Sequence, residues 1–306
     1  MDILPESLGE IVSSVLSVWP EHKKFIARGI GSLGESELIQ TESIAKSVRS
    51  VIAGELESYA SDYRTMCQNL NEEEYFFRRN GRYRFSSYAQ VADFVYHNDE
   101  YMRAYMRGLL VSQVLWTNHI GTTSCFKNDF LEGLGSGLNG LEIGPGHGLF
   151  THCALQTGKF VHYEGWDISE SSLDETARTL QALGHGHTTA ELHVRDAAEL
   201  AGQGQKYDAI TISEVLEHTE DPQSILNQIY AGLNVGGMVF VNVPLNCPAI
   251  DHIFLYQSEE EIRWQVEKSG LQIRSLVQIP VTGFTLERAR RMKATISVAL
   301  TACRES

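Results

Sequence analysis

From Leu138 onward, short apolar segments alternate with amphipathic segments of helical length. This pattern predicts strands near 139–143, 161–167, 190–195, 207–213, 237–243, 271–277 and 294–303, and helices near 148–157, 171–183, 222–233 and 258–269. Such alternation is typical of a doubly wound parallel sheet, whose ligands bind beyond the carboxyl ends of the strands. Because only a short link with a helical turn at Leu286–Met292 joins the last two strands, the last strand is expected to insert antiparallel.

The first 130 residues have a different character. Apolar residues recur at helical spacing from Leu8 to Trp19 and from Ile39 to Leu56, and a longer amphipathic helix is predicted over 99–116. Between them, Asn80-Gly81 separates two aromatic and basic segments, which predicts a β-hairpin. We therefore expect a mainly helical, winged-helix-like domain over 1–130, and a sheet domain over 131–306 after a glycine-rich boundary.

Charge and composition exclude several classes of protein. The chain has 306 residues, 42% hydrophobic and 21% charged, which is ordinary for a folded protein, and its formal charge of −14 disfavours nucleic acid as a partner. No apolar run reaches the length of a membrane span, and the first residues are acidic, so a cytoplasmic protein that binds no membrane is expected. The five cysteines are scattered, which favours reduced thiols.

A glycine-rich loop follows the first predicted strand and opens a predicted helix. It reads Glu142-Ile143-Gly144-Pro145-Gly146-His147-Gly148. Such glycines let a ligand approach the backbone, and a helix N-terminus offers N–H groups to a carboxylate or phosphate. The spacing differs from the G-x-G-x-x-G of nicotinamide and flavin binders, so a nucleotide-like ligand of another kind is indicated.

Polar residues also end the next three strands. Asp167-Ile168 ends the second, Asp196-Ala197 follows the third, and Ser213-Glu214 follows the fourth. A carboxylate at such a strand end can accept two hydrogen bonds from a ribose diol. The alternative is that Asp167 and Asp196 only cap helices.

Together these motifs resemble the class I S-adenosylmethionine-dependent methyltransferases over about residues 126–306. The resemblance implies an α/β fold with a Rossmann-like seven-stranded methyltransferase sheet and S-adenosyl-L-methionine as cofactor. It places the methionine part at Glu142 and the loop containing Gly144, Pro145, Gly146 and Gly148. The ribose would lie at Asp167, the adenine at Ile168 and Asp196-Ala197, and the floor of the site at Ser213 and Glu214.

A second resemblance concerns the stretch Asn246-Cys247-Pro248-Ala249-Ile250-Asp251-His252-Ile253-Phe254-Leu255-Tyr256. It is similar to enzymes of specialised metabolism that modify amino acids and 2-oxo acids. It implies methyl transfer to a small amino-acid-like or 2-oxo-acid substrate. The expected catalytic or substrate-lining residues are Tyr101, Tyr105, Trp116, Asn118, His119, His218, Asn246 and His252. His218 is a candidate base, with a packing role as its alternative.

Two other functions stay open. Azetidine-2-carboxylate synthases resemble methyltransferases and cyclise S-adenosylmethionine with release of methylthioadenosine, which requires no acceptor. The chain could also be a non-catalytic binding or regulatory module, although the intact glycine loop argues against it. No metal is expected, because a metal-held 2-oxo acid usually needs two or three imidazole or carboxylate ligands and no histidine follows His252. The alternative is that His252 itself is a metal ligand. The apolar helices of the N-terminal region predict a homodimer.

Overall fold

Seven strands form one mixed sheet in the computed structural model, which describes residues 4–92, 95, 98–186 and 190–305. The strands are β1 (Leu138–Ile143), β2 (Phe160–Asp167), β3 (Glu191–Val194), β4 (Tyr207–Ser213), β5 (Leu233–Leu245), β6 (Gln272–Pro280) and β7 (Ile296–Cys303). Their order is β3-β2-β1-β4-β5-β7-β6, with β1 to β5 parallel and β7 antiparallel to both of its neighbours. The predicted strands and the antiparallel insertion are confirmed.

The helices of this half are α8 (Leu149–Gln156), α9 (Glu170–Ala182), α10 (Pro222–Gly232), α11 (Glu259–Lys268) and α12 (Leu286–Met292). Side-chain caps fix where several of them begin. Ser169 accepts a hydrogen bond from the Ser172 N–H at the start of α9, and Ser258 accepts one from the Glu261 N–H at the start of α11. Helices therefore begin close to the strand ends, where the predicted motifs lie.

The described residues before β1 contain no strand. Their helices are α1 (Glu6–Val18), α2 (Lys23–Ile30), α3 (Glu35–Val51), α4 (Leu56–Asn80), α5 (Tyr88–Ala92), α6 (Asp99–Ser112) and α7 (Thr117–Cys125), and a π-helical turn follows at Phe126–Leu131. The mainly helical N-terminal region is confirmed. The first three residues, used in the expectation of a cytoplasmic protein, lie outside the described residues.

The predicted hairpin at Asn80-Gly81 is wrong, and the wing of the winged-helix-like region is lost with it. Helix α4 runs through the first of the two aromatic segments and ends at Asn80, where Gly81 has φ +68° and donates its N–H to the Phe77 carbonyl. A glycine in this conformation is also common just after the last residue of a helix. The dipeptide Asn-Gly is therefore compatible with both a hairpin turn and a helix end. The helix is favoured over the hairpin because α4 buries Tyr59, Tyr63 and Met66 at helical spacing.

Two apolar cores flank the sheet. The larger joins the N-terminal helices to one sheet face through a cluster of aromatic rings, in which Phe126 stacks on Phe150 at 4.4 Å and meets the edge of Phe240 at 5.2 Å. The other core packs the opposite face against α10 and α11. The aromatic cluster contains residues from both sides of the predicted domain boundary at residue 130. The division into two domains stays a prediction, and so does the homodimer.

Candidate active site

A cavity of about 490 Å³ lies at the carboxyl ends of the parallel strands, where the strand order reverses between β1 and β4. This is the position at which doubly wound sheets bind ligands. Most of the predicted residues line it: Tyr105, Trp116, His119, Glu142, Gly144, Pro145, Gly146, Asp167, Ile168, Asp196, Ala197, Ser213, Glu214, His218 and His252. The topology thus brings together residues from separate parts of the sequence.

One end of the cavity, here called the glycine-loop end, is formed by Gly144–Gly148 with Asp167 and Asp196. Gly144 has φ +69°, and a Cβ there would lie 2.4 Å from the Val215 Cγ2 atom. Gly146 has φ +52° and lies across from the sulfur of Met106. Only glycine fits this backbone without strain, which leaves the loop open to a ligand.

Gly148 does not line the cavity, although the resemblance placed it in the binding loop. It has φ +75° at the start of α8, and a Cβ would lie 3.0 Å from the Thr176 backbone. Thr176 in turn donates a hydrogen bond to the Gly146 carbonyl at 2.8 Å. Gly148 therefore permits the helix packing that holds the loop in place.

Glu142 is buried beneath the loop and accepts hydrogen bonds from the Thr151 hydroxyl at 2.6 Å and the Tyr163 hydroxyl at 3.2 Å. Burial raises the pKa of its carboxyl to about 7, and the two hydroxyl groups oppose that shift. A cationic group of a ligand at this point would restore the charged carboxylate.

The two strand-end aspartates cap local backbone and also face the cavity. Asp167 accepts the Ser169 N–H at 2.9 Å, and Asp196 accepts the Ala198 N–H at 2.8 Å. Burial raises the pKa of Asp167 to about 6. The side chain of Ile168 is 45% exposed beside them, which is unusual for an isoleucine and suits contact with a flat ring. Capping and ligand binding are therefore compatible at both aspartates.

Glu214 follows β4 in a strained backbone conformation, with φ +54°. Its carboxylate accepts a hydrogen bond of 2.6 Å from the Asn242 side-chain amide, which also donates to Ser213 at 3.2 Å. Non-glycine residues in this region cost free energy and concentrate at functional sites. The strain directs Glu214 toward the cavity that it lines.

At the opposite end, called the histidine end, His218, Asp251 and His252 line the cavity and Glu217 lies fully buried beside them. The rings of His218 and His252 are perpendicular, with centroids 4.8 Å apart. The Glu217 carbonyl accepts the N–H groups of Ile253 and Phe254, each at 2.9 Å, which holds the loop after β5 against the turn after β4. Burial lowers the pKa of His252 to about 4, so its ring is neutral at pH 7.

Helices α6 and α7 and the segment between them supply the wall facing the sheet. Tyr105 lines the cavity, and its pKa is raised well above the usual range by burial. The Trp116 indole N–H donates to the Tyr63 hydroxyl at 2.8 Å. His119 contacts the Ser112 hydroxyl through Nδ1 at 2.8 Å, and burial lowers its pKa to about 3. A neutral His119 is better suited to positioning than to accepting a proton at neutral pH.

Three residues expected at the substrate do not line this cavity: Tyr101, Asn118 and Asn246. Tyr101 stacks against Tyr105 with ring centroids 6.0 Å apart and supports it from outside. Asn118 is buried and donates to the Ser297 hydroxyl at 3.2 Å. Asn246 has φ +47° and donates its N–H to the Tyr256 carbonyl, so it shapes the loop after β5.

The sequence analysis missed part of the wall. Met102, Tyr105, Met106 and Leu109 all line the cavity from α6. Their spacing of three and four residues marks one helix face, and this signal was available in the sequence. Glu217 was also missed. Nothing local distinguishes it from Glu214, because only the return of the loop after β5 brings His252 beside it.

The comparison with protein families concerns the strands that build the glycine-loop end. Residues 141–239 match the family model described as "Methyltransferase domain". This stretch, about a third of the chain, is similar to methyltransferase domains. The resemblance to methyltransferases is confirmed for this stretch, and S-adenosyl-L-methionine is its cofactor. The geometry fits the cofactor, because the positive-φ glycines Gly144 and Gly146 carry no side chain into the cavity that they line, and Asp167 lines the same cavity.

Curated relatives match the same part of the chain. The ubiquinone biosynthesis O-methyltransferase of Leptothrix cholodnii is 36% identical over 107 residues, which are 35% of this chain and 44% of that enzyme. The enzyme of the same name from a Shewanella species is 36% identical over 106 residues, which are 33% of this chain and 41% of that enzyme. The chain therefore matches less than half the length of these relatives.

A solved structure extends the likeness of the fold. An O-methyltransferase family protein from Burkholderia thailandensis superposes with a TM-score of 0.56 at 12% identity. The superposition covers 82% of this chain and 72% of the Burkholderia chain. That share is larger than the sheet domain alone, so the likeness includes part of the helical region. Among the described helices, none is both long enough and apolar enough to cross a lipid bilayer.

Proposed function

We propose that this protein transfers a methyl group from S-adenosyl-L-methionine to an oxygen of a small molecule. The observation that carries the proposal is the continuous cavity of about 490 Å³ that joins the glycine-loop end to the histidine end. Its volume is in the range of small-molecule sites. The cavity is walled by α6 on the side opposite the sheet, which favours a metabolite over a polymer as acceptor.

The charges at the histidine end bear on the class of acceptor. Arg195 is the one lysine or arginine among the described residues lining the cavity, and it lies over the Trp166 ring at 5.0 Å, near the adenine position. The histidine end carries acidic groups and imidazoles instead. A free carboxylate would meet no guanidinium or ammonium there, whereas a hydroxyl could donate to these acceptors. The named activity of the curated relatives, transfer to oxygen, agrees with this preference.

Apolar and aromatic side chains complete the acceptor space. Met106 and Leu109 face it from α6, and Trp116 closes it beyond them. A flat hydroxylated acceptor would pack against these side chains. The amino-acid-like and 2-oxo-acid acceptors indicated by the sequence resemblance belong in the same assay, since they would test the inference from charge.

Positioning accounts for most of the proposed catalysis. S-adenosyl-L-methionine supplies a methyl carbon that its sulfonium already activates. Asp167 and the glycine loop would hold the adenosyl and methionine parts at one end of the cavity, which leaves the histidine end for the acceptor. As the acceptor oxygen bonds to carbon and the carbon–sulfur bond breaks, the acceptor proton must leave. His218 is the base indicated by the sequence, and the Asp251 carbonyl, 3.0 Å from its Nδ1 atom, orients the ring.

Product analysis tests the proposal. The full chain is incubated with S-adenosyl-L-methionine alone and with panels of hydroxylated aromatics, amino acids and 2-oxo acids, and the adenosyl products are quantified by mass spectrometry. We expect S-adenosylhomocysteine only when a hydroxylated acceptor is present. Methylthioadenosine and azetidine-2-carboxylate formed without an acceptor, at a rate well above spontaneous decay, would instead establish cyclisation. Tight cofactor binding with neither product across the panels would favour a binding module.

A further inference from the structure

A buried tyrosine on α4 joins the N-terminal helices to the wall of the cavity. Tyr63 is 0% exposed and does not line the cavity, yet its hydroxyl oxygen lies 2.8 Å from the Trp116 indole nitrogen and 2.9 Å from the His22 Nε2 atom. An indole N–H can only donate, so the tyrosine oxygen accepts from Trp116 and its own proton is left to donate. Burial lowers the pKa of His22 to about 4, so its ring is neutral at pH 7 and Nε2 can accept this hydrogen bond.

The far end of this network is packed among aromatic rings. The His22 ring stacks with Trp19 at 3.9 Å and with Phe25 at 4.6 Å between ring centroids. The thiol of Cys67, one turn later on α4, also contacts the Tyr63 hydroxyl, but sulfur is the weaker acceptor. Because His22 and Tyr63 are both buried, removing one partner leaves a buried polar atom unpaired, which is costly. The hydroxyl of Tyr63 is therefore held in one orientation.

The near end of the network is part of the acceptor space. Trp116 lies between α6 and α7 and lines the cavity, and its ring centroid is 4.9 Å from that of His119, which also lines it. The indole N–H is directed at Tyr63, which lies behind the wall. The part of the indole that faces the cavity therefore consists of carbon atoms.

We propose that Tyr63 is a positioning residue that shapes the acceptor space by holding the Trp116 indole. With its N–H bound behind the wall, the indole presents an apolar surface against which a flat ring packs well. An indole released from Tyr63 would turn its N–H toward the cavity, and the shape and polarity of the acceptor space would change. The effect on the acceptor rests on the proposed function, whereas the orientation of Trp116 does not.

The position of this network in the sequence assigns a role to the helical region. His22, Tyr63 and Trp116 all precede the stretch 141–239 that matches the family model. The matched stretch supplies the residues of the glycine-loop end, whereas the wall held by Tyr63 comes from the helices before it. Selection of the acceptor therefore depends on a part of the chain that the family model does not describe.

The indole N–H signal of Trp116 tests the hydrogen bond directly. The full chain with isotope-labelled tryptophan is compared by NMR with Tyr63→Phe, and the signal is assigned by its loss in Trp116→Phe. We expect Tyr63→Phe to shift the signal and to speed its exchange with water by about tenfold, because the N–H loses its partner. The matched control is Tyr59→Phe, which should leave the signal unchanged. Tyr59 is buried one turn earlier on α4, and its ring contact with the Arg107 guanidinium is one that phenylalanine keeps.

Binding of catechol, a small flat hydroxylated probe, tests the effect on the acceptor space. Each chain is saturated with S-adenosylhomocysteine and titrated with catechol by calorimetry. We expect Tyr63→Phe to bind catechol about tenfold more weakly, with its affinity for S-adenosylhomocysteine unchanged. In a chain that already carries Trp116→Phe, the same substitution should have no effect on catechol, because no indole N–H is left to hold.

An unchanged Trp116 signal in Tyr63→Phe would overturn the proposal. An equal loss of catechol affinity with and without Trp116 would also overturn it, because Tyr63 would then act on the fold in general. His22→Leu removes the acceptor at the far end and should move the signal in the same direction, which keeps the test available if Tyr63→Phe does not fold. If catechol does not bind the unmodified chain at millimolar concentration, the proposed function fails at its acceptor, and the indole signal still decides how Trp116 is held.

Discussion

The two ends of the cavity are built in different ways. The glycine-loop end consists of backbone and strand-end residues, each of which lies within a few positions of a β-strand in the sequence. The histidine end needs Glu217 and His218 from the turn after β4, and His252 from the loop after β5. A local motif can specify the first end, whereas only the tertiary fold assembles the second. Changes at the two ends should therefore affect different measured quantities.

The largest effect is expected from Gly144→Val. The new side chain would begin 2.4 Å from Val215 Cγ2, at a backbone φ of +69° that a β-branched residue strongly disfavours. We expect binding of S-adenosylhomocysteine to fall below detection by calorimetry. The matched control is Gly135→Val, where a Cβ meets no atom within 4 Å, and there the affinity should be unchanged. Normal binding by Gly144→Val would show that the loop is not the binding surface.

A smaller effect is expected from Asp167→Ala. Loss of a carboxylate that accepts ribose hydroxyls should cost about 2–3 kcal/mol, or about 30- to 150-fold in affinity for S-adenosylhomocysteine. The control is Asp174→Ala, because Asp174 is exposed on α9 and does not line the cavity. If the two substitutions behave alike in calorimetry, Asp167 serves only as a helix cap.

The dependence of cofactor affinity on pH should be smaller still. Burial raises the pKa of Asp167 to about 6, and the ionised form is the better acceptor of two hydroxyl hydrogen bonds. Affinity for S-adenosylhomocysteine should therefore decrease by about tenfold between pH 7 and pH 5, as the carboxylate is protonated. Asp167→Asn removes this titration, so its weaker affinity should vary less over the same range. An equal pH dependence in both proteins would assign the titration to another group.

The sequence predicted the sheet well because each parallel strand is an apolar segment bounded by glycine or polar residues. The glycine loop was predicted for the same reason, since positive φ at Gly144 and Gly146 is a local requirement that only certain residues meet. The prediction of a hairpin was wrong because an Asn-Gly dipeptide is compatible with both a hairpin turn and a helix end. Asn80-Gly81 ends α4, and the choice depends on the apolar face that α4 buries far from that turn.

Only part of the wall of the site was predicted, because the face of α6 that is directed at the cavity was assigned incorrectly. Tyr101 and Tyr105 are four residues apart and were expected to face the substrate together. The face toward the cavity instead runs through Met102, Tyr105 and Met106, and Tyr101 lies behind it. Asn118 and Asn246 have structural hydrogen bonds that no local pattern reveals, because their partners are Ser297 and Tyr256.

The most direct test of this account is a crystal structure of the full chain with bound S-adenosylhomocysteine. The account predicts the ribose hydroxyls on the Asp167 carboxylate, the adenine beside Ile168 and Asp196, and the sulfur facing the histidine end. A ligand whose ribose lies at His218 and His252, with the glycine loop uncontacted, would contradict it.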